Sequence, residues 1–281
     1  MSDIMPSDIM PSDILPSDIL PEAVPEAFDP QPAADMLLAA YRAGRQLVEL
    51  PEVVRPRTMS EGYDVQDRLV AALGAESAGW KLAIGSHKGK RGSGVGRSIA
   101  GRVLRDRLHG NGAQLQMPHA GAVTIEFEIA YGIARDIAPD APVVPAAEVV
   151  GETRAAFELV LSRYVDRRAV GWPSFAADNS AFQALVLGPV LATGDLAEVA
   201  RSLVVEVDGV ERVRAVTGED ETDPLSALTD LMAVARERGM TIPAGSLVST
   251  GTLSVPFDLT GPGRITARFL GQSLGFTLLP V

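Results

Sequence analysis

The sequence predicts an α+β protein, with a small helical N-terminal part at residues 34–78 and a β-rich domain at residues 79–281. Up to Gly74, apolar residues recur at the spacing of a helix. Beyond Gly74 they fall into short runs separated by Gly and Pro, which is typical of strands. These runs do not alternate with helices as a parallel, doubly wound sheet requires, so we exclude that fold class.

The chain opens with a repeat. After Met1, residues 2–21 read SDIMP twice and then SDILP twice. Residues 1–30 hold seven acids but no Lys or Arg. A proline every five residues disfavours helix formation. We therefore expect residues 1–33 to be a disordered acidic leader. A docking tail and a segment without a catalytic role both remain open for it.

Two helices are predicted in the helical N-terminal part. The first covers residues 34–50, whose leucines and Tyr41 share one face. The second begins at Ser60 and ends at Gly74, because a serine is a good first residue and a glycine a good stop signal.

The β-rich domain is predicted to contain further helices and a loop between its strands. The Gly-rich run 87–97 is interpreted as a mobile loop, and a helix is expected from Pro145 into the strand that follows. The clearest helix is 223–239, where Asp223 and Pro224 give the start signal. Its predicted apolar face consists of Leu225, Leu228, Met232 and Ala235.

The strands are predicted from short apolar or alternating runs bounded by turn residues. An Asp-Gly pair at residues 208 and 209 marks a hairpin turn. The predicted strands are 79–86, 123–133, 156–164, the hairpin 203–216, and three final strands at 246–254, 264–270 and 275–281.

Composition excludes several classes of function. The 281 residues include no cysteine, so disulfides and thiol catalysis are excluded, and a cytoplasmic location is expected. The formal net charge of −11 argues against nucleic acid or an anionic membrane as a partner. No apolar run is long enough for a membrane-spanning helix.

The strand TIEFEIAY carries the most informative pattern. Side chains alternate between faces along a strand, so Glu126 and Glu128 point the same way. Glu158 lies in another apolar run, FELVLS. Three converging carboxylates can bind a hard divalent cation and leave coordination positions open for a substrate. On spacing alone a solvated strand face explains the pair equally well, but carboxylates within apolar runs need partners.

Other polar residues have two readings each. Lys81 lies among apolar neighbours and either reaches the surface or is held beside a metal site. The cluster Asp178, Asn179 and Ser180 forms either a turn or a polar pocket. The segment STGTLS at residues 249–254 is either a strand end or a donor of backbone N–H groups and hydroxyls to a carboxylate.

The order of these motifs resembles a known family. GWKLAIG, IEFEIAY, FELVLSRY, ADNSAF, DPLSAL and IPAGSLVSTGTL, in that order, are similar to the 2-keto-4-pentenoate hydratase and 2-oxo-3-hexenedioate decarboxylase family, part of the fumarylacetoacetate hydrolase superfamily. The resemblance covers roughly residues 36–280. It implies a mixed, rolled β-sandwich like the fumarylacetoacetate hydrolase C-terminal domain, and a homo-oligomer.

The resemblance also implies roles for individual residues. Glu126, Glu128 and Glu158 would bind Mg²⁺ or Mn²⁺. The residues expected to be catalytic are Lys81, Asp106 and Asp178, and those expected to bind substrate are Ser86, Arg163, Asn179, Ser180, Thr250 and Gly251. Departures from the family pattern, such as Ala83 to Ser86 in place of Gly-Leu-Thr-Ser, fall around the substrate rather than at the metal.

The resemblance implies a hydratase that acts on a 2-hydroxy-2,4-dienoate or a 2-oxo-enoic acid, with a small unsaturated acid as partner. A decarboxylase of 2-oxo-3-enedioates would use the same residues and is the alternative, as is a member with a different substrate. A binding or scaffolding protein is disfavoured because all three glutamates and Lys81 are present. Hydrolysis of a C–C bond is disfavoured because no His-Glu pair is evident.

Overall fold

A computed structural model of the chain describes residues 27–192 and 196–281. Residues 1–26 of the predicted disordered leader lie outside the described residues, whereas residues 31–33, which were also assigned to it, are the first residues of a helix. In the described ranges the α-helices are α1 (Gln31–Arg42), α2 (Met59–Leu73), α3 (His87–Ser93), α4 (Gly171–Ala177), α5 (Leu196–Ser202) and α6 (Pro224–Glu237). None of the described helices is long and apolar enough to cross a membrane.

The first two helices form the predicted N-terminal part and pack on the rest of the protein. Helix α2 starts with a capping box between Thr58 and Glu61 and ends at Gly74 in the left-handed conformation. Apolar side chains of α1 and α2 form one buried cluster with Tyr164 and Ala177 of the β-rich region. The division of the chain at residue 78 stays a prediction.

The prediction that the first helix extends to residue 50 is wrong. Helix α1 ends at Arg42, and Gly44 follows with φ +57. A Cβ at Gly44 would lie 2.5 Å from the carbonyl oxygen of Pro118, so the chain approaches that loop more closely than a helix would allow. Glycine accepts both the positive φ and the close approach.

The described residues also form thirteen strands. In chain order they are β1 (Ser77–Ala83), β2 (Ile99–Leu104), β3 (Leu108–Gly110), β4 (Ala113–Leu115), β5 (Val123–Ile133), β6 (Val150–Val160), β7 (Phe182–Val190), β8 (Val204–Val207), β9 (Val210–Arg214), β10 (Leu247–Thr252), β11 (Phe257–Leu259), β12 (Gly263–Phe269) and β13 (Gln272–Leu278). The hairpin predicted around Asp208 and Gly209 is confirmed by β8 and β9. Strands β2, β3, β4, β7 and β11 were not predicted.

The strands form two mixed sheets. The larger has the order β2-β1-β10-β5-β6-β7-β3, with β11 added beside β5, and the smaller has the order β4-β13-β12-β8-β9. Strand β2 also contacts β7, so the larger sheet curls into a roll. Inside the roll, one apolar cluster joins side chains from β1, β2, β5, β6 and β7.

The other face of the larger sheet packs on the smaller sheet. Phe127 of β5 lies with its ring centroid 5.4 Å from that of Phe157 and 5.1 Å from that of Phe269 on β12. Phe157 in turn contacts Phe276 on β13 at 5.3 Å. This packing places the Phe127 side chain between the two sheets. Because side chains alternate along β5, the neighbouring Glu126 and Glu128 side chains point into the roll.

Two predicted elements differ from the structure. The Gly-rich run predicted to be a mobile loop contains helix α3, because the Ser86 side chain accepts a hydrogen bond from the Gly89 N–H and caps the helix. The basic residues of this run pair with acids near α6; Lys90, for example, lies 2.7 Å from Asp230. The helix expected from Pro145 is only a 3-10 turn, Ala146–Val149, because strand β6 begins at the next residue.

Helix α6 is confirmed, but its predicted apolar face is partly wrong. Leu225 is 39% exposed, whereas Leu231 and Val234, which were not predicted, are buried. The buried side chains are Ala227, Leu228, Leu231, Val234 and Ala235. These positions recur at i, i+1, i+4, i+7 and i+8, which is one face of a helix, and Leu225 lies off that face.

Candidate metal centre

Three glutamates meet on the inner face of the roll. Glu126 and Glu128 share one face of β5, and Glu158 on β6 is the direct cross-strand partner of Glu126. One carboxylate oxygen from each glutamate lies within 4.8 Å of the others. The predicted convergence of the three carboxylates is therefore confirmed, and antiparallel register is its cause.

Two of these carboxylates have no access to solvent. Glu128 and Glu158 are 0% exposed, whereas Glu126 is half-buried. Burial raises the pKa of the Glu128 carboxyl well above its ordinary value, and the neighbouring Glu158 and Glu126 raise it further. Burial also raises the pKa of Glu158, against the opposing effect of Lys81. Three neighbouring negative charges therefore raise the free energy of the folded protein unless a cation is bound between them.

Glu128 is held in place by the β10 strand. Its Oε2 accepts a hydrogen bond of 2.6 Å from the Ser249 hydroxyl and one of 3.0 Å from the Gly251 N–H. Gly251 has φ +100, which a residue with a side chain rarely adopts. An irregularity in the β10–β5 pairing between Ser249 and Thr252 turns both donors towards Glu128. The Oε1 atom of Glu128 is buried without a hydrogen-bond partner among the described residues.

Ser249 was not predicted individually, but the expectation that STGTLS donates hydroxyl and N–H groups to a carboxylate is confirmed by the bonds of Ser249 and Gly251 to Glu128. The neighbouring Thr250 is fully buried, and its hydroxyl donates to the Ile129 carbonyl at 2.8 Å. The structure therefore places Thr250 and Gly251 against β5. Their predicted contact with substrate stays a prediction.

Lys81 lies inside the roll and does not reach the surface. It is 2% exposed, and its Nζ is 2.9 Å from Oε1 of Glu158. The same ammonium group donates a hydrogen bond of 3.0 Å to the Ser180 carbonyl. An ammonium group has three N–H donors, and among the described residues only the Ser180 carbonyl accepts a hydrogen bond from one of them.

The Ser180 carbonyl belongs to a left-handed turn, residues 179–181, in which Asn179, Ser180 and Ala181 have φ of 51, 49 and 58. Left-handed backbone costs residues with a Cβ roughly 1–2 kcal/mol each, and asparagine tolerates it best. The Asn179 side chain accepts a hydrogen bond from the Arg102 N–H at 2.6 Å and donates one to the Arg102 carbonyl at 2.9 Å. The Ser180 hydroxyl donates to the Ala100 carbonyl at 2.9 Å.

Asp178 and Arg163 bind each other. They form a buried ion pair, and Asp178 also accepts hydrogen bonds from the Ser162 hydroxyl at 2.7 Å and the Arg163 N–H at 3.0 Å. Burial raises the pKa of Asp178, while Arg163 and Ser162 oppose that change. Asp178 and Arg163 are therefore each other's main binding partner. The predicted roles of Asp178 in catalysis and of Arg163 in substrate binding stay predictions.

Two further predicted site residues have their contacts outside the three carboxylates. Asp106 is exposed in a 3-10 turn beyond the end of β2, whereas Lys81 pairs with Gly101 near the middle of that strand. Ser86 caps α3 and pairs with Thr222. The predicted roles of Asp106 in catalysis and of Ser86 in substrate binding stay predictions.

The site fits a divalent cation. It offers three carboxylates, and in the described part of the chain both oxygens of Glu158 and one of Glu128 are buried without hydrogen-bond partners. For Glu158 Oε1 the ion pair with Lys81 remains, but its geometry is not that of a hydrogen bond. Oxygen ligands with unmet negative charge are what Mg²⁺, Mn²⁺ and Ca²⁺ prefer.

Comparisons with known proteins agree with this geometry. The profile of the family described as fumarylacetoacetate (FAA) hydrolase C-terminal matches residues 104–271. The chain is 26% identical over 225 residues to a 4-oxalocrotonate decarboxylase of a Pseudomonas species, covering 78% of this chain and 85% of that protein. It is 24% identical over 262 residues to the TodF product hydratase of Pseudomonas putida, covering 84% and 94%.

A solved structure has the same fold. The 4-oxalocrotonate decarboxylase from Pseudomonas putida G7, complexed with magnesium and adipate, matches with a TM-score of 0.76 at 20% identity. The match covers 89% of this chain and 97% of that one. The mixed, rolled β-sandwich expected from the motif order is therefore confirmed.

Proposed function

The chain belongs to the fumarylacetoacetate hydrolase family, and on that premise we propose that it is a divalent-metal-dependent lyase acting on a small unsaturated 2-oxo or 2-hydroxy acid. One observation carries the proposal. Glu126, Glu128 and Glu158 present oxygens within 4.8 Å of one another, two of them from fully buried side chains. Buried carboxylates this close together repel one another and lose their hydration, and a bound cation would offset both effects.

The three glutamates would hold the ion, and we propose Mg²⁺ or Mn²⁺. Magnesium is present in the similar decarboxylase structure. When bound, a divalent cation supplies Lewis-acid stabilisation of the negative charge that develops on the 2-oxygen of a 2-oxo acid. Ser249 and Gly251 keep Glu128 oriented towards the ion, because both of their donors bind its Oε2.

Lys81 is the group that would hold or move a proton. Its Nζ forms an ion pair with Glu158 and donates a hydrogen bond to the Ser180 carbonyl, so two of its three N–H groups make no hydrogen bond with the described residues. The surrounding roll excludes water from Lys81, Glu128 and Glu158, so a charge on the substrate would be stabilised more strongly than in solution.

We favour a hydratase. In that reaction a 2-hydroxy-2,4-dienoate is ketonised, and water then adds to the conjugated double bond at C4. The relative named TodF product hydratase, which the chain covers over 94% of its length, supports this choice.

A decarboxylase is the second candidate. The same stabilised charge on the 2-oxygen would accept the electron pair released when CO₂ leaves a 2-oxo-3-enedioate. The relative named 4-oxalocrotonate decarboxylase supports this reaction. Both reactions need the same carboxylates and the same lysine, which is why the residues alone do not separate them.

The location, the assembly and the domain bounds of the protein are also proposals. We propose that the protein acts in the cytoplasm as a homo-oligomer, with residues 34–78 as a helical part and residues 79–281 as the metal-binding domain. The roles of Asp106 in catalysis and of Ser86 in substrate binding are also proposals.

Two substrates decide the reaction. The purified protein with Mg²⁺ or Mn²⁺ is given 2-hydroxypenta-2,4-dienoate or 2-oxo-3-hexenedioate, and loss of absorbance and release of CO₂ are measured. Turnover of the first without CO₂ supports the hydratase, and CO₂ from the second supports the decarboxylase. If neither is turned over with either metal, the proposed substrate class is wrong.

A matched pair of variants ties any activity to the site. Glu126→Gln should lower turnover by at least about 100-fold, since loss of a supporting contact alone often costs 10–100-fold. Glu148→Gln removes an exposed glutamate outside the site and should leave turnover unchanged. Equal turnover in both variants would show that the three glutamates are not the metal ligands.

A further inference from the structure

We infer that the left-handed turn, residues 179–181, is a positioning device for Lys81, and that Asn179 and Ser180 act on this lysine rather than on the substrate. The inference rests on the role proposed for Lys81 in proton transfer. It goes further by assigning the orientation of its ammonium group to one short segment of backbone.

The first step is the ammonium group itself. Lys81 Nζ is 2.9 Å from Glu158 Oε1 and donates to the Ser180 carbonyl at 3.0 Å. Because the contact with Glu158 does not have the geometry of a hydrogen bond, the hydrogen bond to the Ser180 carbonyl is the contact that fixes how the group is rotated, and the directions of the other two N–H groups follow from it. With the ion pair alone, the ammonium could rotate about its bond to the side chain.

The second step is the place of the Ser180 carbonyl. A carbonyl oxygen at this point requires three consecutive residues with positive φ, which is an unfavourable backbone for serine and alanine. Such a conformation persists only when its surroundings impose it. Here the Asn179 amide holds both backbone groups of Arg102, and the Ser180 hydroxyl holds the Ala100 carbonyl.

The third step is the close contact between the turn and β2. Gly101 lies between the two residues that the turn holds and is the strand partner of Lys81. A Cβ on Gly101 would lie 2.6 Å from the Asn179 carbonyl oxygen and 3.1 Å from the Ser180 Cβ. The absence of a side chain at Gly101 is therefore what allows the turn to approach the lysine.

Strand β2 is itself fixed from outside the roll. Helix α2 binds it through Tyr63, whose hydroxyl accepts from the Ala100 N–H, and through Gln66, which donates to the Ala100 carbonyl. The Arg102 guanidinium lies 4.9 Å from the Trp80 ring centroid. A continuous set of contacts thus runs from α2 through β2 and the turn to Lys81.

A direct substrate contact is the competing role for Asn179. It is 2% exposed, and its oxygen and its nitrogen are each engaged with Arg102. A substrate could bind the Asn179 amide only by displacing those bonds. Because Ser180 acts through its carbonyl, its effect on Lys81 does not depend on the serine side chain alone.

The test variant is Asn179→Gly. Glycine adopts positive φ without strain, so the change removes the amide contacts with Arg102 without opposing the turn. Asn111→Ala is the matched control, because Asn111 also binds a backbone N–H, that of Gly275 at 2.8 Å, but on the smaller sheet.

The first measurement is NMR of lysine side chains in the metal-free protein, which needs no activity. The chain has three lysines, Lys81, Lys88 and Lys90. In Asn179→Gly we expect the Lys81 signals to move towards those of the exposed Lys88, while those of Lys90, held by Asp230, stay unchanged. Lys81 signals that are the same in the variant and in the wild type would overturn the inference.

The second measurement is kinetic and uses the substrate that the wild type turns over. A misplaced proton donor should lower kcat by roughly 100-fold, while KM and the Mn²⁺ affinity change by less than about threefold. A raised KM with unchanged kcat would mark Asn179 as a substrate contact and overturn the inference. If the wild type turns over neither substrate, the proposed function fails, and the NMR result still decides the positioning role.

Gly101→Ala provides an independent variant that leaves Asn179 in place. The added Cβ should push the turn away from β2 and reproduce the Lys81 signal changes of Asn179→Gly. Should Asn179→Gly fail to fold, this variant carries the test. Unchanged Lys81 signals in folded Gly101→Ala would contradict the mechanism.

Discussion

The ammonium group of Lys81 lies 2.9 Å from a carboxylate oxygen of Glu158, and both side chains are almost fully buried. The lysine offsets only part of the negative charge, because Glu126 and Glu128 lie beside the same carboxylate. The site therefore has fewer positively charged groups than carboxylates, and it also holds the Lys81 ammonium group, which can donate a proton. Both properties are needed for chemistry on a 2-oxo acid.

Glu128→Gln is predicted to stabilise the metal-free protein and to abolish its stabilisation by metal. Burial and two neighbouring carboxylates raise the pKa of Glu128, so its charge opposes folding. Removing that charge should raise Tm by a few degrees, at roughly 2–4 °C per kcal/mol for a protein of this size. Calorimetry with and without Mg²⁺ measures both effects. An unchanged Mg²⁺-induced shift in the variant would count against Glu128 as a ligand.

The metal-free protein is predicted to lose stability as the pH rises from the ordinary carboxyl pKa through the raised pKa values of Glu128 and Glu158. The pKa of the buried Glu128 and Glu158 carboxyls is raised in the folded state, so the folded state binds more protons than the unfolded state. Stability is then highest below the ordinary carboxyl pKa and falls as the pH passes the raised values. Denaturant unfolding between pH 5 and pH 8 checks this, with Glu128→Gln as the less pH-dependent control. A stability that rises with pH over this range would contradict the assignment.

Ser249→Ala is predicted to weaken metal binding without disrupting the fold. The Ser249 hydroxyl holds Oε2 of Glu128 at 2.6 Å, and losing a contact of this kind lowers metal affinity by roughly 10–100-fold. Titration calorimetry with Mn²⁺ measures the change. Ser273→Ala, an exposed serine on β13, is the control. Equal affinities in the two variants would show that Ser249 does not orient the ligand.

Arg163→Met is predicted to destabilise the protein by roughly 3–5 kcal/mol, because it leaves the buried carboxylate of Asp178 without its partner. Replacing both residues with apolar ones should cost less than the single change. Chemical denaturation of the single and double variants measures the difference. If Arg163→Met keeps full stability and loses only substrate affinity, Arg163 binds substrate as the sequence predicted.

The sequence predicted the parts of the site that depend on local pattern. The alternation in TIEFEIAY placed Glu126 and Glu128 on one face, and the order of motifs added Glu158 and Lys81. The long-range contacts could not be predicted in this way. The segment that starts at Ser249 was interpreted as a strand end or as a donor to a carboxylate, but nothing in it indicates that this carboxylate is Glu128, since an irregular strand pairing creates that contact.

The fold was predicted with similar limits. The caps of α2 and the Asp-Gly hairpin are local signals, and both elements were found. Helix α3 was missed because its glycines favour a loop, whereas the Ser86 cap and ion pairs with residues far along the chain stabilise a helix. The left-handed turn was interpreted only as a turn or a polar pocket, because three successive positive φ values depend on contacts with β2.

The most direct test of the metal centre is an anomalous difference map from crystals of the protein grown with Mn²⁺. The account predicts one strong peak bound by Glu126, Glu128 and Glu158, and its loss in crystals of Glu126→Gln. The absence of a peak among these three carboxylates at saturating Mn²⁺, or a peak that persists unchanged in the variant, would contradict it.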